Sequence, residues 1–555
     1  MTEIATTDGG PESVEPEAQA DAQGGSRAAF VAFVAMLGVT AVLVPVRLGN
    51  QRWFSSDEWD FLATRHLGDV GSLFRPHNEH WTTLPAVAYR LVWGVVGLHH
   101  YWPYQALVIA AHLGAVAMLR VIMRRAGVDP WIATIAAGSL LLLGSGDENI
   151  VWAFQVTFVG AFALGLVQLV LADHDGDLDR RDWLGLAAGA LGLMCSGVGL
   201  TMVVVVGVAT LLRRSWRMAM FHTLPLAAMY AAWWVVERPS SGSNAADESV
   251  GHILGVMVAF VARGVSAAFE GLGSSPLVGA ALALMLVVGL WMAWRPRQSR
   301  RGAAPTSPFR RRGTTIAALL VGMVVFLTVS AYGRWWAGAA YGAQSRYVYV
   351  VVAMLLPGLA VAADALARRW RYLLPVVLVL LLVGVPGNIG QFVDESRYVG
   401  PSFEISQQMV LAVTTSPLAD EVPEWVEIDP RVNPGLTIGW LRQIRDAGDL
   451  PAGGPVDETT ANQIPIRLGV AQTFGPPPKD CRTLTGKIDL RPAQDTIYGF
   501  SGSLIAVAPL DDAGEPTAPP LKFDPSHGRR LAILLDGLHL QVKPGVQGEA
   551  VTFCG

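Results

Sequence analysis

Residues 55–81 read SSDEWDFLATRHLGDVGSLFRPHNEHW, and the reading of this stretch decides the fold. It follows directly on the first long apolar segment of the chain and opens with Asp57, Glu58 and Asp60. A second cluster, His77, Glu79 and His80, closes it just before Trp81. Acidic and imidazole side chains are costly at a bilayer boundary, so a crowd of them there is a functional-site hypothesis by default.

The surrounding chain supplies the bilayer. Of its 555 residues 52% are hydrophobic and 15% charged, with a mean hydropathy of +0.39. That profile belongs to a polytopic membrane protein and excludes a soluble one. A hydrocarbon core about 30 Å thick takes about 20 apolar residues of helix. Candidate spans fall near 28–47, 103–123, 131–145, 155–172, 183–196, 198–212, 218–236, 275–294, 314–331, 348–367 and 372–389. The 183–212 stretch also reads as one bent unit around Ser196-Gly197. Ahead of the first span, residues 1–27 are acidic and rich in Gly, Ala, Glu and Pro, the opposite of a signal peptide's basic start. They read as a disordered cytoplasmic tail.

Basic clusters orient the spans by the positive-inside rule: Arg124-Arg125, Arg180-Arg181, Arg213-Arg214 with Arg217, the run from Arg295 to Arg312, and Arg368-Arg369 with Arg371. With about eleven spans and a cytoplasmic N-terminus, every cluster lands inside the plasma membrane. The Asp57 loop, the Asp147 loop and everything from Gln391 on land outside. Two further apolar stretches must then not cross. Thr83–His100 holds Arg90, Trp93, His99 and His100, and Gly251–Gly273 holds Arg263 and Glu270; both read as interfacial helices in the outer loops. The Arg295–Arg312 run is a topogenic, lipid-facing loop, and no nucleic-acid partner is expected.

From residue 391 the composition turns to Pro, Gly, Asp and Thr. Leu436–Ala447 reads as a helix, while Ser503–Ala508 and Leu531–Leu535 read as strands between turn residues. Residues 391–555 are therefore expected to be a small extracytoplasmic domain, α+β or β-rich, behind a transmembrane catalytic domain at 28–390. Cys481 and Cys554 can pair in an exported domain, closing a long loop worth about 4 kcal/mol on the chain-entropy model. Cys195, in an apolar run, reads as an inert core residue.

The chemistry these residues suit is glycosyl transfer. It needs a carboxylate to take the proton of an incoming hydroxyl, and partial desolvation at a membrane surface tunes such a group. Neighbouring positions on a helix face different ways, so Asp57 is favoured over Glu58, which can cap a helix or hold a cation. A second acidic pair, Asp147-Glu148, lies in the next outer loop (SGDENIVW). Trp53, Trp59, Trp81, Trp152 and Phe154 offer flat apolar faces for sugar, although aromatic residues at an interface are as often an anchoring belt. His77, Glu79 and His80 have the donor types of a divalent-metal site with Asp57 or Asp147. A loop histidine bonded to backbone is at least as good a reading, and the cluster is assigned to the cavity lining with the metal left open. A lipid-phosphate leaving group needs a cation, and Arg346, at the start of SRYVYVVVAM, offers the guanidinium fork that matches phosphate. Arg334 reads as a snorkelling helix-end residue, and Arg75 is a weaker phosphate candidate. Phosphate-loop, nucleophile-elbow and HExxH motifs are absent from the sequence.

The order of features resembles the GT-C class of membrane glycosyltransferases, the group of the protein O-mannosyltransferases and the bacterial aminoarabinose transferase. Asp57-Glu58 and His80-Trp81-Thr82-Thr83-Leu84-Pro85 stand where that class often has "DE … HPPL". Leu184–Leu200 is similar to its middle hairpin, and Ser345-Arg346-Tyr347 to the "RY" that starts a late span. The second proline of HPPL is missing, and the C-terminal domain is the chain's own. The resemblance implies a GT-C-like fold and an inverting transferase. It also implies a polyprenyl-phosphate sugar donor and a glycan, lipid or protein acceptor at the outer face. The implied site comprises Asp57, Glu58 and Asp147 as catalytic groups, with Glu148, His77, Glu79, His80, Trp81 and Arg346 binding substrate. High Ala, Val, Gly and Arg usage points to an actinobacterial source and a cell-envelope product. Two competing readings are a polymerase or ligase of lipid-linked glycans and a flippase. The flippase needs mid-membrane ionisable groups, which the spans lack apart from His112 and His222 near their edges.

Overall fold

The computed structural model describes residues 15–238, 248–295, 313–475, 479–502, 504–524 and 529–555. The start of the expected tail (1–14) and most of the Arg295–Arg312 run (296–312) lie outside the described residues. The chain forms two compact units. One gathers Met1–Gly49, Asn78–Trp81 and Ala106–Asp394; the other gathers Asn50–His77, Thr82–Gln105 and Glu395–Gly555.

The chain is mostly helical. Among the described residues nine helices are long and apolar enough to cross a membrane: Gly24–Leu48, Trp102–Arg125, Ala153–Ala172, Trp216–Glu237, Val250–Gly273, Pro276–Trp294, Thr314–Ala337, Ser345–Arg369 and Arg371–Thr415. All but Val250–Gly273 coincide with expected spans. The spans expected at 131–145, 183–196 and 198–212 are the shorter helices Pro130–Leu141, Arg180–Leu193 and Val198–Arg213, of 12, 14 and 16 residues. At about 1.5 Å per residue each falls short of a hydrocarbon core of about 30 Å. Val250–Gly273, expected in the interface because its crossing would export the Arg295–Arg312 run, is long and apolar enough to cross. Its Arg263 and Glu270 pair at 2.8 Å, which lowers the cost of carrying both charges.

Burial sorts the helices of the first unit into centre and rim. Ser345–Arg369 has 83% of its apolar stretch buried, against 17% for Trp216–Glu237 and 22% for Gly24–Leu48. A helix apolar on every face and buried on every face is a bundle centre, while an apolar but open one suits lipid. Close approach at the centre depends on small residues. A Cβ built on Gly289 of Pro276–Trp294 would lie 2.5 Å from the Ala362 Cα.

In the second unit, Thr83–Val96 buries Pro85, Ala86 and Tyr89 and leaves Leu91 and Val95 exposed, the two-faced helix expected there. The C-terminal region carries two antiparallel sheets. Its strands are β1 (Val470–Phe474), β2 (Cys481–Leu484), β3 (Ile488–Leu490), β4 (Ile497–Gly502), β5 (Ile505–Pro509), β6 (Leu521–Phe523), β7 (Arg529–Ile533), β8 (Leu540–Pro544) and β9 (Val551–Cys554). One sheet has the order β1-β7-β4-β9-β2 and the other β3-β8-β5-β6. The expected strands are β5 and β7, and the expected helix is Ile438–Asp446. Cys481 faces Cys554 across the β2–β9 ladder and is bonded to it, while Cys195 is a buried free thiol.

The same region packs on the first loop. Trp440 lies 6.1 Å from Trp59 and 5.6 Å from Trp93, ring centre to ring centre. The Trp93 indole donates to Asp449 Oδ2 at 3.1 Å, and the Leu98 amide donates to the Asp449 carbonyl at 2.9 Å. Loop, two-faced helix and C-terminal region thus share one core.

Candidate active site

The first loop turns at Ser55–Asp60, where the amides of Glu58, Trp59 and Asp60 donate to the carbonyls of Ser55, Ser56 and Asp57. Adjacent residues of a turn diverge, and the acidic trio has three different fates. Glu58 is fully buried. It accepts the Tyr89 and Tyr101 hydroxyls at 2.8 and 2.9 Å and the Ser55 amide at 3.0 Å. So enclosed, Glu58 serves as an anchor for the loop, and the catalytic part expected of it finds no support in its surroundings.

Asp60 is consumed by cations. Arg65, itself fully buried, donates to it through Nε at 3.1 Å and Nη2 at 2.5 Å, and Arg75 donates at 3.0 Å. Arg65 also donates to the carbonyls of Ser72, Arg75 and Pro76. Burial opposes the charge on Asp60, yet the His77 hydrogen bond and the Arg65 guanidinium outweigh it and hold the carboxyl well below the usual range.

His77 sits between two carboxylates, with Nδ1 2.9 Å from Asp60 and Nε2 3.3 Å from Asp57. Burial alone would lower its pKa, but the hydrogen bonds and charges of Asp57 and Asp60 push it up to about 9. The two carboxylates thus favour the protonated ring. Asp57, its side chain 36% exposed, is the carboxylate of the trio with the most open surface.

The second acidic pair and the late-span arginine come together in the first unit. Asp147, buried, accepts the Ser345 hydroxyl at 2.9 Å. The Glu148 amide donates to Ser345 Oγ at 3.3 Å, and Asn149 Nδ2 donates to the Arg346 carbonyl at 3.3 Å. Glu148 Oε1 lies 3.6 Å from Arg346 Nη1 and accepts Gln155 at 3.2 Å. Arg346 donates to the Tyr341 hydroxyl at 2.7 Å and lies over the Tyr341 and Tyr347 rings. A guanidinium held this way is about a quarter exposed and keeps donors for an anion.

Glu79, His80 and Trp81 belong to this unit as well. Glu79 pairs with Arg334, which corrects the reading of Arg334 as a snorkelling residue: its head group folds back onto a carboxylate. Burial opposes ionisation of Glu79, but His80 and Arg334 outweigh it and hold its carboxyl below the usual range. The His80 ring lies over Gly197, where a Cβ would come within 3.2 Å of Nδ1. Trp81 stacks on Trp233 with centroids 5.2 Å apart. That contact makes Trp81 a packing residue first, as its 3% exposure requires.

Sequence reasoning passed over a further set. His174, Asp179 and Asp182 present ligand atoms within 4.8 Å of one another, a group able to hold a metal ion. Asp182 is already bracketed by Arg214 and by His222 at 3.0 Å, and Asp179 by Arg181 at 2.8 Å. These bonds balance its charge without an ion. Arg65, Ser345 and Tyr341 were likewise missed. Only the density of charge inside 55–81 hinted at the first of them.

No protein-family model matches the chain, and no curated protein matches it. Two crystal structures are similar to it, those of ArnT from Cupriavidus metallidurans in the apo state and bound to undecaprenyl phosphate, with TM-scores of 0.46 and 0.45. Each is 14% identical to this chain and covers 80% of it and 92% of its own length.

Proposed function

We propose that the chain is a membrane glycosyltransferase that moves a sugar from a polyprenyl-phosphate donor to an acceptor hydroxyl at the outer face of the plasma membrane. The observation that carries this reading is the division of labour among its outer-loop charges. Glu58 and Asp60 are consumed by tyrosines and arginines, whereas Asp57, paired with His77 alone among the contacts described above, keeps about a third of its side chain open.

In the reaction the acceptor oxygen attacks the anomeric carbon, and the bond from that carbon to the phosphate oxygen breaks. The phosphate leaves with the bonding electrons, and a single displacement inverts the centre. Asp57 takes the hydroxyl proton. Arg346 meets the charge that grows on the leaving phosphate, with Glu148 and Tyr341 fixing its orientation. Asp147 holds Ser345 and with it the first turn of the late span.

The test is purified protein with a panel of polyprenyl-phosphate sugars, following which donor is consumed. Asp57→Asn is expected to stop turnover while the protein still folds, its melting temperature falling by no more than the loss of the His77 pairing accounts for, and Arg346→Ala to raise KM for the lipid donor. Full turnover by Asp57→Asn sinks the reading.

A further inference from the structure

The Asp57 turn is held from a distant part of the chain. Ser56, just before Asp57, has a left-handed backbone with φ +50°, a conformation that a non-glycine residue keeps only when its surroundings impose it. The Ser56 amide donates to Asn433 Oδ1 at 3.2 Å, and the buried Trp59 indole donates to the same oxygen at 3.0 Å. Both partners are donors, so the amide oxygen faces the turn whichever way the side chain is viewed. One buried acceptor thus brackets Asp57 from both sides along the chain.

Asn433 is itself fixed. It is 3% exposed, and its amide donates to the Asp429 carbonyl at 2.8 Å. The Asp429 carboxylate is paired with Arg467 at 2.7 Å, on the helix Glu458–Gly469. That helix runs straight into β1. The holding atom is therefore carried by the folded C-terminal region rather than by a free loop.

We propose that Asn433 is the positioning residue of the Asp57 turn, so that the C-terminal region is part of the transferase site and not an appendage. The proposal rests on the reading of Asp57 as the base. A carboxylate that must meet a hydroxyl within hydrogen-bond reach loses rate steeply when displaced, by about a hundredfold for an error of about 1 Å. Asn433 touches no substrate in this scheme, so its loss lowers kcat and leaves donor binding nearly alone.

The experiment compares full-length wild type, Asn433→Ala and Asn433→Asp in detergent. It measures hydrogen exchange of the peptide spanning 53–60 together with kcat and KM for the polyprenyl-phosphate sugar that wild type consumes. Asn433→Ala is expected to lose protection in that peptide and about tenfold or more in kcat, with KM within about twofold and the sheets still protected. Asn433→Asp, which retains an acceptor oxygen, restores the protection. Unchanged exchange at 53–60 in Asn433→Ala overturns the proposal. So does a wild-type kcat in that variant while Asp57→Asn is inactive. An active Asp57→Asn instead removes the reading beneath it, and the exchange data still test whether Asn433 holds the turn. If Asn433→Ala does not fold, Asn433→Gln, whose oxygen is displaced by one methylene, is read by the same two measurements.

Discussion

Raising the pH through the titration of His77 should loosen the first loop, and the size of the effect follows from the geometry. In the unfolded chain the ring titrates near its ordinary value of 6.5; in the fold, Asp57 and Asp60 move it to about 9. A folded pKa above the unfolded one means stabilisation that is complete below about 6.5, erodes between about 6.5 and 9, and is gone above about 9. The full shift is worth at most about 3 kcal/mol. The Asp57 half of the clamp is 36% exposed and screened by solvent, so about 2 kcal/mol is the working figure. Asp60 does not blur the window, because its carboxyl titrates far below it. Thermal unfolding in detergent at pH 6, 7.5, 9 and 10 reads the effect. Wild type should lose a few degrees between pH 6 and 10, whereas His77→Gln should start lower and vary less. Parallel curves for the two proteins would refute the argument, since they would mean that the ring is neutral throughout.

Other outcomes follow from single contacts. Glu58→Ala strands the Tyr89 and Tyr101 hydroxyls in a buried site and should cost about 2–4 kcal/mol, read as a lowered melting temperature, while Glu58→Gln should cost less. Gly289→Val drives a branched side chain into Ala362 and should destabilise the first unit by about 1–3 kcal/mol, read by the same melting assay. Cysteines placed singly at residue 57 and at residue 512 in the Cys195→Ala background should react with an impermeant maleimide from the same side of the membrane. Opposite sides would break the second unit apart.

Much of the helical layout was legible because hydropathy is a local property: a run of apolar residues long enough for the bilayer declares itself. What hydropathy does not show is which side chains meet. Arg263 and Glu270 read as two separate charges in Val250–Gly273, and only the folded helix shows them paired. The 183–212 stretch is two helices, as the paired spans 183–196 and 198–212 anticipated, and between them Gly197 lies under the His80 ring. For the site, the sequence favoured Asp57 over Glu58 only on the ground that neighbouring positions face different ways. What separates Asp57, Glu58 and Asp60 in the fold is the company of Tyr89, Tyr101, Arg65 and His77. Asn433 carried no signal at all, since nothing in the string ties it to residues 56 and 59.

The composition of the second unit also constrains how the chain threads the bilayer. Asn50–His77, Thr82–Gln105 and Glu395–Gly555 share one core, held by Trp59 on Trp440 and by Leu98 on Asp449. A single folded core cannot be divided by a membrane, so the chain must return to the side it left, and the crossings between Gln105 and Glu395 must be even in number. The long helices after Gly24–Leu48 number eight and meet that condition by themselves. If the three shorter helices Pro130–Leu141, Arg180–Leu193 and Val198–Arg213 also carry the chain across, parity is kept only when one of the long helices does not cross. Val250–Gly273 is the long helix with a paired Arg263 and Glu270 on its surface, both partly open to their surroundings. A charge pair on an open face costs least where water is at hand, which is the condition of a helix lying in the interface. The pairing thus allows this helix to cross and the eight long helices keep the parity when it does; only if the three shorter helices cross as well is it the candidate to lie in the interface.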